Sequence, residues 1–307
     1  MACCFVTREL PGEALGRLRA AHDTEVWPHS SAPPRDELVR GIADAEGLLA
    51  TLTDIVDAEL IAAAPKLRMI SNYAVGTDNV DITAATARAI PVGNTPDVLT
   101  DSTADLAIAL MLAVSRRLPE GKRLVRAGGW KAWEPAFMLG RDLHSATVGI
   151  IGAGRIGAAV ARRLAGFDCH ILRVGRGEPE ALRELLAASD FISIHCPLTA
   201  DTRGLISAAE LRLMKPTAYL VNTARGPIVD QTALRTALSE GWIAGAALDV
   251  TDPEPLPAAD PLLEAPNLVV VPHLGSATHR TREAMASSAV DNLIAGLAGE
   301  PIPNRVN

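Results

Sequence analysis

Short apolar runs alternate along this chain with longer segments whose apolar positions recur every three or four residues. The first pattern marks a buried strand and the second a helix with one buried face. From the N-terminus, CCFVTR reads as a strand, PGEALGRLRAA as a helix opened by proline and TEVWP as a second strand. RDELVRGIAD reads as a helix and AEGLLAT as a third strand. DIVDAELIAAAPKL is predicted helical through Ile55, Leu60 and Ile61, and RMISNYA is a further strand. The helix ITAATARAI and the strand-like PVGN follow. Such alternation implies a parallel sheet with helices on both faces.

Residues 101–118, DSTADLAIALMLAVSRRL, form a helix capped by Asp101 or Ser102 and apolar around nearly its whole circumference. A helix of that kind is buried, between domains or in a subunit interface. The connector GGWKAWEPAFMLGRDLHSA, with Trp130 and Trp133, is long for a compact domain and so serves a function or contacts a partner. Beyond it a second series of strands and helices runs to THRTREAMASSAVDNLIAGLAG, a last helix ended by glycine before Pro301. No internal repeat stands out beyond the likeness of two α/β halves.

At the head of the second series stands TVGIIGAGRIG, residues 147–157. An apolar strand runs into Gly152, Gly154 and Gly157, and a helix-like AAVARRLAGF follows. Strand, GxGxxG turn and helix together mark a dinucleotide site. Gly152 permits the tight turn, Gly154 lets the backbone approach a pyrophosphate, and Gly157 allows close helix–strand packing. The helix N-terminus offers free N–H groups to the phosphates. A plain glycine turn shares this local pattern, so the remainder of the chain has to decide. The next strand, CHILRVG, lacks the acidic residue that binds the ribose 2′-hydroxyl in NAD sites. Arg173 and Arg176 lie where a 2′-phosphate would sit, which favours NADP over NAD; solvated surface arginines would look the same.

Length and composition narrow the class. A chain of 307 residues with 48% hydrophobic and 21% charged residues has room for two domains, each with its own core. A net charge of −7 argues against a nucleic-acid binder. No apolar run reaches the ~18–20 residues of a membrane span, and the N-terminus carries no secretory pattern. The four cysteines form neither a disulfide frame nor a zinc motif, so no metal is expected and the chain reads as cytoplasmic.

Three polar residues follow three consecutive strands of the second series: Arg225 in VNTARG, Glu254 in DVTDPEP and His273 in VVVPHLGSAT. Ligands of open α/β sheets bind beyond the carboxyl ends of the strands. Each residue alone has a structural explanation: an ion pair, a loop between prolines, a helix cap. Beside a dinucleotide site the three together point to catalysis.

With these residues in view, the chain resembles the D-isomer-specific 2-hydroxyacid dehydrogenases over essentially its full length. The resemblance is carried by VGTDNVD (75–81), TPDVLTDSTADLAIAL (95–110), TVGIIGAGRIG, VNTARGPIVD (221–230), ALDVTDPEPLP (247–257) and PHLGSAT (272–278). Within the family it is most similar to the glyoxylate/hydroxypyruvate reductases, through NTPDVLTD, the connector, the VGR after the second strand and SATHRTR.

That resemblance implies two doubly wound parallel-sheet α/β domains, one flavodoxin-like for substrate and one a Rossmann cofactor domain, with a cleft between them. Residues 1–97 with 279–307 would form the first and 98–278 the second. It implies that Arg225 binds the substrate carboxylate and 2-oxo group, that His273 donates the proton and that Glu254 hydrogen-bonds it. A guanidinium fork matches a carboxylate, and a neighbouring carboxylate favours imidazolium. Val75 and Gly76 would hold the substrate carboxylate through backbone N–H groups, with Ser276 and Trp133 also on the substrate side. The cofactor would touch Thr103, Arg155, Ile156, Cys196, Pro197, Thr202, Thr223, Ala224, Asp249 and Gly275 besides the glycines and Arg173 and Arg176. The expected activity is NAD(P)H-dependent reduction of glyoxylate, hydroxypyruvate and similar 2-oxo acids by a homodimer, Trp133 reaching the partner's active site. Another D-2-hydroxy acid, a phosphite-type donor, or a non-catalytic nucleotide-sensing or corepressor role on the same fold are the alternatives. One departure stands out: between VGRG and ASDFISI only PEALREL remains, where relatives carry a further helix and short strand.

Overall fold

The computed structural model describes residues 1–307. The chain opens with β1 (Cys3–Val6), α1 (Ala14–Ala21), β2 (Asp23–Val26), α2 (Arg35–Ile42) and β3 (Gly47–Thr51). It continues through α3 (Ala58–Ala63), β4 (Met69–Tyr73), α4 (Ile82–Ala87) and β5 (Val92–Gly93). Two helices, α5 (Thr100–Ser115) and α6 (Leu118–Arg126), lead to β6 (Thr147–Ile151), α7 (Arg155–Leu164), β7 (His170–Val174) and α8 (Pro179–Ala188). Then come β8 (Phe191–Ile194), α9 (Ala208–Leu213), β9 (Tyr219–Asn222), α10 (Gln231–Ser239), β10 (Gly245–Leu248), β11 (Leu268–Val270) and α11 (His279–Ala298). Two compact units result, Met1–Leu99 with Ser276–Asn307, and Thr100–Gly275. Their limits lie two and three residues from the boundaries expected after 97 and 278.

In the first unit five parallel strands lie in the order β2-β1-β3-β4-β5. Phe5, Leu48 and Ile70, one from each of three neighbouring strands, join Leu38, Ile42, Leu60 and Ile61 from the covering helices in one core. Helix α3 is shorter than the periodicity predicts. Asp57 accepts the N–H of Leu60 at 2.8 Å and starts the helix there, because a carboxylate cap satisfies an orphan donor that an aliphatic residue cannot. Ile55 is left outside, 66% exposed.

In the second unit six parallel strands lie in the order β11-β10-β9-β8-β6-β7. The central strands β6, β8, β9 and β10 are covered on both faces, which is why they are near-continuous apolar runs, whereas the edge strand β7 exposes His170 and Arg173. Ile150, Val221 and Ala247 point into one core layer, and their neighbours Ile151, Leu220 and Leu248 into the other. The order reverses at β6, whose neighbours are β7 and β8, and β7 is an edge with no strand beyond it.

Helix α5 corrects one expectation. It is not buried all round: Asp101, Asp105 and Ala109 form an exposed stripe, and Arg163 of α7 bonds Asp101 and Asp105. Apolar coverage of the helical wheel is nearly complete, yet two carboxylates one turn apart suffice to mark a solvated side. The helix also ends before Leu118. Arg117 adopts left-handed φ (53°) and turns the chain into α6, which buries no residue.

The C-terminal segment braces the first unit. Asn292 of α11, fully buried, donates to the Asn94 carbonyl at 2.8 Å and accepts from the Asn304 N–H at 3.0 Å. The Asn304 carbonyl in turn accepts from the Asn94 N–H at 3.1 Å, and Arg305 bridges antiparallel to Gly93. Asn292→Ala strands a buried acceptor and a donor, each worth about 1–3 kcal/mol when unsatisfied. The expected result is a lower thermal midpoint with faster amide exchange at Asn304; unchanged exchange there would contradict the brace.

Candidate active site

Strand β6 delivers the glycine turn. Gly152 sits at φ +96°, and a Cβ on it would lie 2.5 Å from the Cys196 nitrogen, so only glycine fits both the turn and the neighbouring 195–196 backbone. Gly154 has open space where its side chain would be, which leaves the backbone approachable. A Cβ on Gly157 would collide with the Gly152 carbonyl. Helix α7 begins at Arg155, and its first-turn N–H groups have no intrahelical acceptors. A pyrophosphate fits this cradle on all three counts: room at Gly154, donors at the helix start, and a turn fixed from beneath. The Gly152 N–H donates to the Val174 carbonyl at 3.0 Å, which sets the end of β7 beside the turn.

Strands β9 and β10 and the 271–273 segment after β11 carry the polar rim. Asn222, at the end of β9, shapes the Arg225 turn from both sides: its amide donates to the Arg225 carbonyl at 2.9 Å and its oxygen accepts the Ala224 N–H at 3.0 Å. Asp249, just past β10 and 2% exposed, accepts the N–H groups of Leu274 at 2.5 Å and Gly275 at 2.9 Å. Its own carbonyl accepts the His273 N–H at 3.0 Å. One residue thus holds the turn in which His273 takes up left-handed φ, 53°. Burial pushes the Asp249 carboxyl up, opposed by those two amides and the charge of His273.

His273 Nδ1 lies 2.5 Å from Glu254 Oε1, both side chains partly exposed. Burial works against the Glu254 carboxylate, but the hydrogen bond and charge of His273 outweigh it and hold the carboxyl below its ordinary value. The Thr251 amide and the Arg225 charge contribute in the same direction. With Nδ1 engaged, Nε2 is the nitrogen left for proton transfer.

The remaining expected residues divide by surroundings. Thr103 and Gly275 are neighbours, since a Cβ on Gly275 would lie 3.2 Å from the Thr103 hydroxyl. Ser102 donates to the Gly275 carbonyl at 2.9 Å. Ile156 is half-buried against the core layer that holds Ile150. Thr202 spends its hydroxyl inside the 197–202 turn, on the Pro197 carbonyl at 2.7 Å. Burial pushes the Cys196 thiol up to about 11, so it stays protonated at neutral pH. Arg176 occupies the turn after β7, whereas Arg173 lies within the strand in register with Ile150. Trp133 stands on the connector, 80% exposed.

The sequence pattern does not single out His195, although it stands in the HCP segment beside Cys196 and Pro197. Its ring joins the Ser193 hydroxyl at 2.8 Å to the Thr223 hydroxyl at 3.3 Å, and burial pushes its pKa down to about 4. It is a neutral strut beneath the turn that carries Arg225. Glu178 escapes the pattern as well: the carboxylate absent from the end of β7 comes from the following turn, where Glu178 Oε2 accepts the Gly175 N–H at 3.0 Å.

In the first unit the carbonyls of the loop after β4 are all tied down. The carbonyls of Ala74, Val75 and Gly76 accept from the Thr95 N–H (2.9 Å), the Asn94 amide (2.8 Å) and the Asn72 amide (2.9 Å). No protein acceptor takes the N–H of Val75 or Gly76. Ser276 belongs to this unit, buried, and its carbonyl accepts the Thr278 N–H at 2.8 Å.

Known proteins share both the sequence and the architecture. Residues 108–275 match the family model of the D-isomer specific 2-hydroxyacid dehydrogenase NAD-binding domain. A glyoxylate reductase of Korarchaeum cryptofilum is 49% identical over 99% of this chain and 95% of its own length. The crystal structure of a Thermus thermophilus protein superposes with a TM-score of 0.93 at 47% identity, covering 99% of this chain and all of that one. An NADPH-dependent glyoxylate/hydroxypyruvate reductase of Sinorhizobium meliloti, solved with NADP and malonate, has a TM-score of 0.86 at 35% identity over 99% of this chain and 96% of its own. No helix of the chain is long and apolar enough to cross a membrane.

Asp249→Ala would strand the Leu274 and Gly275 donors, at about 1–3 kcal/mol each. The expected outcome is a lower unfolding midpoint and loss of the downfield proton resonance of the His273–Glu254 hydrogen bond. Retention of that resonance would show that the turn holds its shape without Asp249.

Proposed function

The chain belongs to the D-isomer-specific 2-hydroxyacid dehydrogenase family, and on that premise we propose that it reduces small 2-oxo acids to 2-hydroxy acids. Glyoxylate and hydroxypyruvate come first among the substrates, as the names of the relatives suggest. The observation that carries the reading is the His273–Glu254 pair, 2.5 Å apart on the rim of the sheet whose β6 end forms the phosphate cradle. An acid–base pair beside a dinucleotide cradle is what carbonyl reduction requires.

When bound, reduced nicotinamide supplies the hydride for the 2-oxo carbon. The protein does the rest. Arg225, fixed by Asn222, binds the carboxylate and 2-oxo oxygen through its fork and draws electron density toward that oxygen. The Val75 and Gly76 amides take the carboxylate. His273 gives its proton to the developing alkoxide from Nε2, and Glu254 holds the imidazolium through Nδ1 until that moment. Asp249 orients the turn; Thr103, Thr223 and Gly275 would hold the nicotinamide side, and Pro197 would meet the adenosine half. NADPH is the preferred coenzyme, with Arg176 at the 2′-phosphate, and NADH is second; the Sinorhizobium relative is NADPH-dependent by name.

A homodimer accounts for α6 and its connector. Leu118, Val125, Trp130, Trp133, Phe137 and Leu139 are all exposed along this one segment. Consecutive apolar exposure on that scale marks a protein contact, and Trp133 is the residue assigned to the partner's substrate.

A spectrophotometric screen of 2-oxo acids with NADPH and NADH tests the whole reading, and no turnover with any of them would overturn it. His273→Ala should lower turnover by ~10²–10⁴, the range for lost acid–base help; near-normal turnover would remove His273 from the mechanism. In Glu254→Gln the charged acceptor facing His273 Nδ1 becomes a neutral amide, so the ring is held less firmly and turnover should fall by about tenfold or more in a protein that still folds. Unaltered turnover in that variant would count against the pair.

A further inference from the structure

We propose that Glu178 is a specificity-determining residue of the coenzyme site: its carboxylate reads the 2′,3′-diol of the adenosine ribose and restrains the preference for NADPH that Arg176 confers. The inference rests on the coenzyme reading of the Gly152–Gly157 turn.

In a doubly wound sheet, discrimination between the two coenzymes is made at the end of the strand that follows the phosphate-binding helix. Here that strand is β7, and the residue after it is Gly175, which has no side chain to offer. The space beside it is nevertheless filled by a carboxylate. Glu178 folds back across the turn, and a Cβ built on Gly175 would lie 3.8 Å from Glu178 Oε2 and 3.9 Å from Oε1. The carboxylate of Glu178 thus lies in van der Waals contact with the place a side chain at 175 would start from. The Gly175 N–H pins it at 3.0 Å, through Oε2. The phosphate turn adjoins the same strand end through the Gly152 N–H and the Val174 carbonyl.

Two features separate this from ordinary helix capping. Glu178 occupies the N-cap position of α8, but its side chain makes no bond to that helix and turns away from it. And because β7 is the sheet edge, the turn passes directly into α8, with no further strand to carry Glu178 elsewhere. The turn thus holds both signs: Arg176 for a 2′-phosphate and Glu178 for a free diol. A pinned carboxylate accepts hydrogen bonds from the two hydroxyls and repels a phosphate in the same place.

Dissociation constants of NADH and NADPH, measured by titration calorimetry on the full chain without substrate, test this directly. Glu178→Gln keeps an amide oxygen for the Gly175 N–H, so the turn survives; Glu178→Ala removes it. Both variants should weaken NADH, tighten NADPH and shift the ratio of the two constants by at least about tenfold. Arg176→Ala should shift it the opposite way. Equal weakening of both coenzymes in the Glu178 variants would reduce Glu178 to a turn residue and overturn the inference, as would an unchanged ratio. If the unaltered protein binds neither coenzyme, the coenzyme reading itself fails and takes this inference with it.

Discussion

Every strand in both sheets runs parallel to its neighbours, and the chemistry depends on that constraint. Parallel pairing needs a crossover after each strand, so all the loops that follow strands emerge on one rim of each sheet. In the second unit this brings the glycine turn, the Arg225 turn, Glu254 and His273 to the same edge although they span more than a hundred residues of sequence. No long-range ion pair is needed to gather them. The ladder does so, and short local bonds set each loop: Asn222 under Arg225, Asp249 under His273, the Gly152 N–H on Val174.

Two histidines on this rim show how surroundings divide roles. His195 lies between two hydroxyls with no carboxylate in reach, and burial drives it to the neutral form, down to about 4. His273 faces Glu254, whose carboxyl is held low by that same contact and so stays ionised through the physiological range. A neutral imidazole can brace a turn without bringing charge near it, and an imidazole beside a carboxylate has one ring nitrogen fixed and the other left open. The two side chains are chemically identical; only the neighbours differ.

Much of this was legible beforehand. Runs such as FISI and YLVN in the second sheet can be read directly because a strand covered on both faces is mostly apolar; the polar exceptions, Ser193 and Asn222, are buried and hydrogen-bonded to the loops beyond the strand ends. The glycine turn and the placement of Arg225, Glu254 and His273 after strands were legible because residue type and strand order alone carry them. What escaped was spatial. Asp105 on α5 looks like an interruption in an apolar helix, and only its contact with Arg163 shows a solvated stripe. Asn72 and Asn94 resemble loop residues until their amides are seen on the Gly76 and Val75 carbonyls. Helix α6 gives no separate signal, since a left-handed Arg117 is an unmarked way to begin a new helix.

The end of β7 shows where a positional rule and a structure part company. The rule for coenzyme choice asks which residue stands a fixed distance beyond the glycine motif, and in this chain that position holds Gly175, between Val174 and Arg176. What the ribose would meet is a volume, not a position, and a turn can fill that volume from several residues further on. With no strand beyond β7, the path from strand end to helix is short, and Glu178 at the start of α8 folds back over the turn to the Gly175 N–H. A short edge can in this way place a side chain beside a strand end whose own residue has none.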